Sequence, residues 1–551
     1  MTKRLSRRHF LALSAGSAGA GLLAACASPA EPSPTVAPRP LEPTKAPQLQ
    51  VTPQATSAPS RAPAATTKAP EFKRGGTFTL AKTSTIKNFD PMDMFVGNHV
   101  TRRALFNTLI KYDANLNPQP ELAEKWDSSA DGKVVTLKLR QGVKFHSGRE
   151  FTSQDVKNSV EFTVGNASSA LRPLFLPIKR IEMPDKYTVT LGFDTVNPGA
   201  LDLLDVLYII DKETIQDNAK MAVGTGPFKL DKYVPNDRVE FVANPEYWNK
   251  GKPYMDRFVV RQVPDLAALA INVESGAVDA IWQPSYLDLL RLKEQSTKYT
   301  TSMGAPGASV VNVGLNTKLE PFTIKKVRQA VAWAIDRARF CKTTMQGLVE
   351  PSCLIWPSNS WAYFEDLEGK IGYDLDKATA LLKEAGVDKG FDTEILCSTA
   401  IRSGDASMAQ ILQADLKKLD INAKISDVDS AAYNARVNKP DIQIVVHAYG
   451  RANRDPGSTL TGAKAWLTES EGGWTRFESD AYSRLRDDLN STLDREQRKA
   501  VARKIQELAL DECFTNPVAS QPMAWVCGIH VKGFDVNLDN APYVEAMWLN
   551  K

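Results

Sequence analysis

After Glu71 the apolar positions change rhythm repeatedly, from the two-residue alternation of a strand to the 3.6-residue stripe of a helix and back. Gly76–Ala81 and Val134–Leu139 alternate, the second running into a Gln141-Gly142 turn, so both predict strands. Thr152 followed by Asp155 is the pattern of a capped helix start. Val327, Val331, Ala334 and Ile335 form one helical stripe, and Asp374 opens another through Ala378, Leu381, Leu382 and Ala385, which Gly386 closes. These stripes are read as core. No unit of about 20–50 residues recurs, which argues against a repeat protein. Strands and helices that alternate throughout predict α/β lobes.

Before Glu71 the rhythm is lost. Ala27–Pro70 is rich in Pro, Ala, Ser and Thr and lacks aromatics, so it cannot bury enough apolar surface to offset its ordering entropy. It is read as an extended tether. Ahead of it, Ser6-Arg7-Arg8-His9-Phe10-Leu11 matches a twin-arginine pattern, and an Ala/Gly/Leu run ends at Leu23-Ala24-Ala25-Cys26. Charged head, short apolar run and small-residue cleavage site make a removable export signal. Leu-Ala-Ala-Cys resembles a bacterial lipobox, which predicts acylation of Cys26 and a lipid anchor. The formal charge of +4 is matched by Lys3, Arg4, Arg7 and Arg8 alone, so the chain after Cys26 is formally neutral. A nucleic-acid partner is therefore not expected.

About 480 residues remain, enough for two or three domains. Five cysteines follow Cys26, at 341, 353, 397, 513 and 527, with no CxxC spacing. Export permits disulfides, but an odd count leaves at least one thiol unpaired or paired between chains. No GxSxG, HExxH or Walker pattern is present, and no two histidines stand four apart, so neither catalysis, a cofactor nor a resident metal is expected.

A series of stretches in fixed order is similar to the peptide/nickel-type extracellular solute-binding proteins, family 5, cluster C. They are Gly75-Gly76-Thr77-Phe78 with Phe89-Asp90-Pro91, Leu122–Trp126, Lys138–His146 with Phe151–Val156, and Gly224–Lys229 with Asn244–Trp248. Asn312–Asn316 before Val327–Ala330, and Tyr373–Ala378 before Leu381–Gly386, complete the set. The resemblance spans 72–551 and implies a periplasmic-binding-protein-like α/β fold (type II) of two lobes around a cleft, plus an extra domain. The expected organisation is a signal peptide over 1–25 and a tether over 26–71. The first lobe is expected from 72–116, 221–309 and 516–551, the extra domain from 117–220, and the second lobe from 310–515.

The same resemblance implies that the protein captures a ligand by lobe closure and delivers it to the permease and ATPase of an ABC importer. It implies a position at the outer face of the cytoplasmic membrane. In peptide-binding relatives an aspartate in the stretch matching His447–Pro456 pairs with the peptide amine. Anchored on Asp455-Pro456, that place is held here by Ala452, beside Arg451. A second acidic place falls near Asn98-His99. Both carboxylates are absent, so Arg451 or Arg454 is expected to fork onto an anionic group instead. Trp282, Trp356 and Tyr449 are candidates for gripping ligand by apolar area, with core packing as the competing reading. His447, with His99, is a candidate for a metal chelate. The leading ligand is a peptide; an oligosaccharide, an opine-like or other anionic solute comes next, and a chemosensory presenter shares every feature.

Overall fold

The rhythm read from the sequence is realised element by element. The computed structural model describes residues 72–551 except 93–97, 114–115, 167–168, 170 and 400; the signal, Cys26 and the tether lie outside the described residues. Gly76–Ala81 becomes the strand Thr77–Lys82, and Val134–Leu139 is a strand throughout. Thr152 caps the helix Ser153–Gly165 through the reciprocal box, its backbone N–H donating to Asp155 Oδ2 at 2.9 Å. Asp374 caps Leu375–Glu384 by accepting from the Lys377 N–H at 2.9 Å.

Three sheets organise the chain. A seven-stranded sheet runs in the order Tyr299–Met303, Ala524–Gly528, Ala280–Trp282, Thr77–Lys82, Arg257–Gln262, Arg238–Ala243 and Phe228–Val234. Its central strand Thr77–Lys82 is parallel to both neighbours, so Lys82, Gln262 and Trp282 lie together at their carboxyl ends. That edge is where open α/β sheets commonly bind ligands. A five-stranded sheet orders Asn422–Asp427, Asp392–Cys397, Ile444–Gly450, Ser309–Leu315 and Thr515–Ser520. An antiparallel four-stranded sheet is made of Ala123–Ser128, Val134–Leu139, Thr188–Phe193 and Ile178–Asp185. This is the α/β architecture of two lobes with an extra domain.

The cores follow the sheets. Phe78, Phe241 and Phe258 stack within the seven-stranded sheet at centroid spacings of 5.4–5.6 Å, and their cluster continues into Leu137, Val189 and Leu191 of the four-stranded sheet. The five-stranded sheet has its own core of Val311, Val313, Val327, Val331, Ile395 and Ile444. The chain passes between the two large sheets through 304–308 and again through 521–523. These passages touch, for the Gly304 N–H donates to the Met523 carbonyl at 2.9 Å. The boundaries expected at 309/310 and 515/516 fall inside the strands Ser309–Leu315 and Thr515–Ser520. All five described cysteines are buried free thiols.

Candidate functional site

Strand Ile444–Gly450 carries the candidate stretch, and its two ends live in different surroundings. In register with Asn312 and Val310 of the neighbouring strand, His447 and Tyr449 share one face. That face is covered by aromatic rings. His447 meets Trp474 edge-on at 4.4 Å, and Tyr449 meets Trp466 edge-on at 5.6 Å. The Tyr449 hydroxyl donates to the Ile355 carbonyl at 2.8 Å, and the buried Trp356 belongs to the same cluster. His447 pairs with the Asn312 amide at 3.0 Å, and burial, followed by Arg402, pushes its pKa down to about 3. This packing matches the competing core reading of Trp356 and Tyr449, and it holds His447 in the same layer. All three are almost wholly buried inside one lobe, because their apolar area is worth more there than in a polar seam.

After Gly450 the chain leaves the sheet. Arg451 adopts φ +64°, a conformation uncommon for a side-chain-bearing residue, and the turn ends where Asp455 caps Pro456–Gly462 by accepting from the Gly457 N–H at 3.0 Å. This segment meets three carboxylates from distant stretches. Arg454 Nη2 lies 2.6 Å from Asp205 Oδ2 and 3.2 Å from Asp539 Oδ1. Arg451 donates through Nη2 to the Asp202 carbonyl at 3.3 Å and reaches Asp539 only at 3.8 Å. The Asp455 N–H donates to Asp202 Oδ2 at 2.8 Å, while Arg498 forks onto the Asp455 carboxylate with two bonds of 2.7 Å. Asp205 continues inward to Arg103 at 3.6 Å, and Arg103 to Glu121 at 2.9 Å. Charges this deeply buried are tolerated only when paired.

The electrostatics match the geometry. Burial alone would raise the Asp539 carboxyl, but Arg454 and Arg451 hold it at about 2. Burial opposes the Arg454 charge, yet Asp539, Asp205 and Asp202 keep its pKa above the ordinary arginine value. Asp202 shifts upward, through burial and then the nearby Asp455.

Of the other expected residues, His99 lies at the seam and Asn98 does not reach it. His99 Nδ1 bonds the Asp539 carbonyl at 3.1 Å, and its ring stacks 6.5 Å from Trp282, which is itself 5.9 Å from Trp525. Burial and then Arg102 push the His99 pKa down to about 3, so it stands there as neutral imidazole. The Asn98 amide is spent on Lys87 N–H at 3.3 Å and Asn88 at 3.2 Å. Lys82, at the end of the central strand, sits 5.9 Å from the Trp282 ring, and burial lowers its pKa to about 7.

Sequence reading missed Asp202, Asp205, Asp539, Arg103 and Glu121. One local signal existed: Asp202 and Asp205 interrupt the apolar run Ala200–Ile210, where an acid must be buried with a partner or break the element. Among the described residues no group of three or more His, Cys, Asp or Glu is placed to hold a metal ion. A groove of about 420 Å³ lined by Trp333, Leu367, Ile371 and Leu510 shares no residue with the seam. No helix among the described residues is long and apolar enough to cross a membrane.

Comparison with known proteins places this seam in context. Residues 117–466 match bacterial extracellular solute-binding proteins, family 5, and the chain belongs to that family. It is 25% identical to heme-binding protein A of Haemophilus influenzae over 83% of this chain and 89% of that one. It is 27% identical to the dipeptide-binding protein of Escherichia coli over 79% and 86% respectively. Among solved structures, the periplasmic binding protein DppA of Helicobacter pylori in complex with the peptide STSA superposes with a TM-score of 0.77. That match has 25% identity and covers 87% of this chain and 99% of that one.

Proposed function

We propose that this protein is the capturing component of an ABC importer, closing its two lobes on a peptide or peptide-sized solute and handing it to the permease. The observation that carries this reading is the seam itself, where Arg451–Asp455 of one lobe meet Asp202, Asp205 and Asp539 across the cleft. Hinge closure between lobes is how such proteins enclose ligand, and the paired passages at 304–308 and 521–523 are suited to be the hinge. The relatives named above for dipeptide and peptide binding support a peptide-sized cargo. Mass spectrometry of whatever is released from the purified protein by mild denaturation tests the proposal. A reproducible solute of this size supports it, and turnover of that solute by the protein refutes it.

The twin-arginine signal, Cys26 and the tether complete the proposal by placing the folded body at the outer face of the cytoplasmic membrane. Cys26→Ser should abolish incorporation of labelled fatty acid. Among the expected ligand-facing residues, contact roles are assigned to His99 and Arg451, while Trp282, buried in the core of the seven-stranded sheet, packs behind His99. Bracing roles go to Asn98, Arg454 and Asp455, and core roles to Trp356, His447 and Tyr449.

A second reading, an opine-like or other anionic solute, is favoured by one specific feature. Ala452 stands where a peptide-amine partner was expected, and its neighbour Arg451 keeps a buried Nη1 without a hydrogen-bond partner. A guanidinium edge with no hydrogen bond and only a long ion pair to Asp539 suits a carboxylate better than an ammonium. Calorimetry with di- to pentapeptides and their N-acetylated forms separates the two: peptide binding that is lost on acetylation refutes the anionic reading.

A further inference from the structure

Away from Arg451 the lobes meet a second time, where the four-stranded extra domain and the segment that follows it face the outer helices of the second lobe. Glycines mark the contact. A methyl group on Gly199, which opens the helix Ala200–Leu204, would stand 2.5 Å from Ser458 Oγ in the helix Pro456–Gly462. One on Gly132, in the turn between the strands Ala123–Ser128 and Val134–Leu139, would meet Leu493 at 2.9 Å. One on Gly462 would meet Leu174 of the helix Arg172–Phe175 at 2.9 Å. These approaches are shorter than non-bonded atoms tolerate, so a side chain at any of the three positions would hold the surfaces apart.

The contact is close without being fused. Phe175, Leu203 and Leu204 belong to the core of the first lobe, Leu460 and Leu489 to a core of the second, and the two cores remain separate. A permanent interface resembles a core cut in half, with its apolar surfaces merged. Leu493, at the edge of this one, is still 49% exposed. The polar bonds across it are equally separable. Asp455 N–H donates to Asp202 Oδ2 and Arg454 to Asp205 Oδ2, yet each carboxylate keeps a partner on its own side. Asp202 Oδ1 accepts from the Tyr112 hydroxyl at 2.8 Å, Asp205 faces Arg103 at 3.6 Å, and the Asp455 carboxylate is held by Arg498 at 2.7 Å. Parting the two surfaces therefore strands none of these three carboxylates, and it releases Arg454 into water.

We propose that the extra domain is a closure latch: Gly199 and Asp202 seat on Ser458 and Asp455 as the captured solute draws the lobes together, and the seated contact slows the solute's escape without touching it. The inference rests on the capture function above and gives the extra domain a task within it. Solute brings the lobes together because it binds both walls. The latch adds bonds that exist only in that arrangement, so it weights the closed population further. Glycine at 132, 199 and 462 lets backbone meet side chain across the gap, which fixes one depth of closure in place of a range of loose contacts.

Cross-linking tests the latch. The short approach of Gly199 to Ser458 puts a Gly199→Cys/Ser458→Cys pair within disulfide reach, and the five described native thiols are buried. The double variant is stripped of solute by mild denaturation and refolding, then oxidised with and without the low-molecular-mass filtrate of a peptide-rich growth medium. The filtrate is expected to speed formation of the disulfide about tenfold, and equal rates overturn the proposal. Mass spectrometry of wild type in the same filtrate separates the two levels. A retained solute with an unmoved cross-linking rate sinks the latch alone; no retained solute sinks the capture function and the latch with it. Ser458→Trp, a wedge in the contact, should release the retained solute about tenfold faster while keeping a cooperative urea transition. Thr461→Trp, on the still exposed side of the same helix, should release it at the wild-type rate. Release from Ser458→Trp at the wild-type rate also overturns the proposal.

Discussion

Within twelve residues of one strand and its following turn, the protein solves two opposite packing problems. From Ile444 to Tyr449 the side chains enter a core, where His447 is kept neutral and Tyr449 is satisfied by a single backbone carbonyl. From Arg451 to Asp455 they enter a seam, where every deeply buried charge is answered from a different part of the chain. The core is stabilised by removing apolar area from water, a contribution of roughly 25 cal/mol per Å² that needs no particular partner. The seam works the other way. Its charges lose hydration and are compensated only by the partners they meet with the lobes together, so it converts domain position into electrostatic energy.

This contrast can be broken at either end. The largest effect is expected in the core: Trp356→Ala should cost about 4 kcal/mol in urea unfolding, while leaving the solute retained by the folded protein unchanged. Arg454→Met should cost about 3 kcal/mol by leaving Asp205 and Asp539 with only their longer contacts to Arg103 and Arg451. Adding Asp205→Asn to that variant should recover part of the loss. If the double variant is no more stable than the single one, the seam is not an electrostatic unit.

The two buried histidines sharpen the same comparison. His447 in the core and His99 in the seam both fall from 6.5 to about 3 in the folded protein. Below pH 6.5 the unfolded chain binds protons that the folded chain refuses, so stability present above that pH is lost as the medium is acidified toward pH 3. Each should contribute about 1.4 kcal/mol per pH unit to that loss. His447→Gln should flatten the acid side of the stability profile by that amount, as followed by urea midpoints between pH 6.5 and 4.5. The smallest stability effect is expected at Arg451. Its exchange for Gln should change unfolding by about 1 kcal/mol or less, since its ion pair is long. The same exchange should alter which solute co-purifies.

The local elements were largely legible beforehand. The Thr152–Asp155 box and the Asp374 cap act within three residues, and a strand alternates because its two faces meet different surroundings. The ordered stretches from Gly75 to Gly386 were enough to indicate the family now shown over 117–466. The candidate site was legible only in part. Arg451, Arg454 and Asp455 were named because they adjoin a recognisable Asp-Pro, and His99 because it falls near the second acidic place that the resemblance implies. Trp356 and Tyr449 were left between two readings for a physical reason: an aromatic ring suits a cleft wall and a core equally well. Only the rings packed around it decide between them.

By itself the sequence determined the elements, the α/β class, the neutral body and the positions of its candidate charges. All of these depend on residue chemistry or on neighbours a few positions apart. Tertiary structure alone decided which charges meet. Arg454 and Asp205 are 249 positions apart, and Asp202 and Asp455 are 253 apart. No local pattern encodes such pairings, because their energy appears only when distant stretches of the folded chain meet and exclude water.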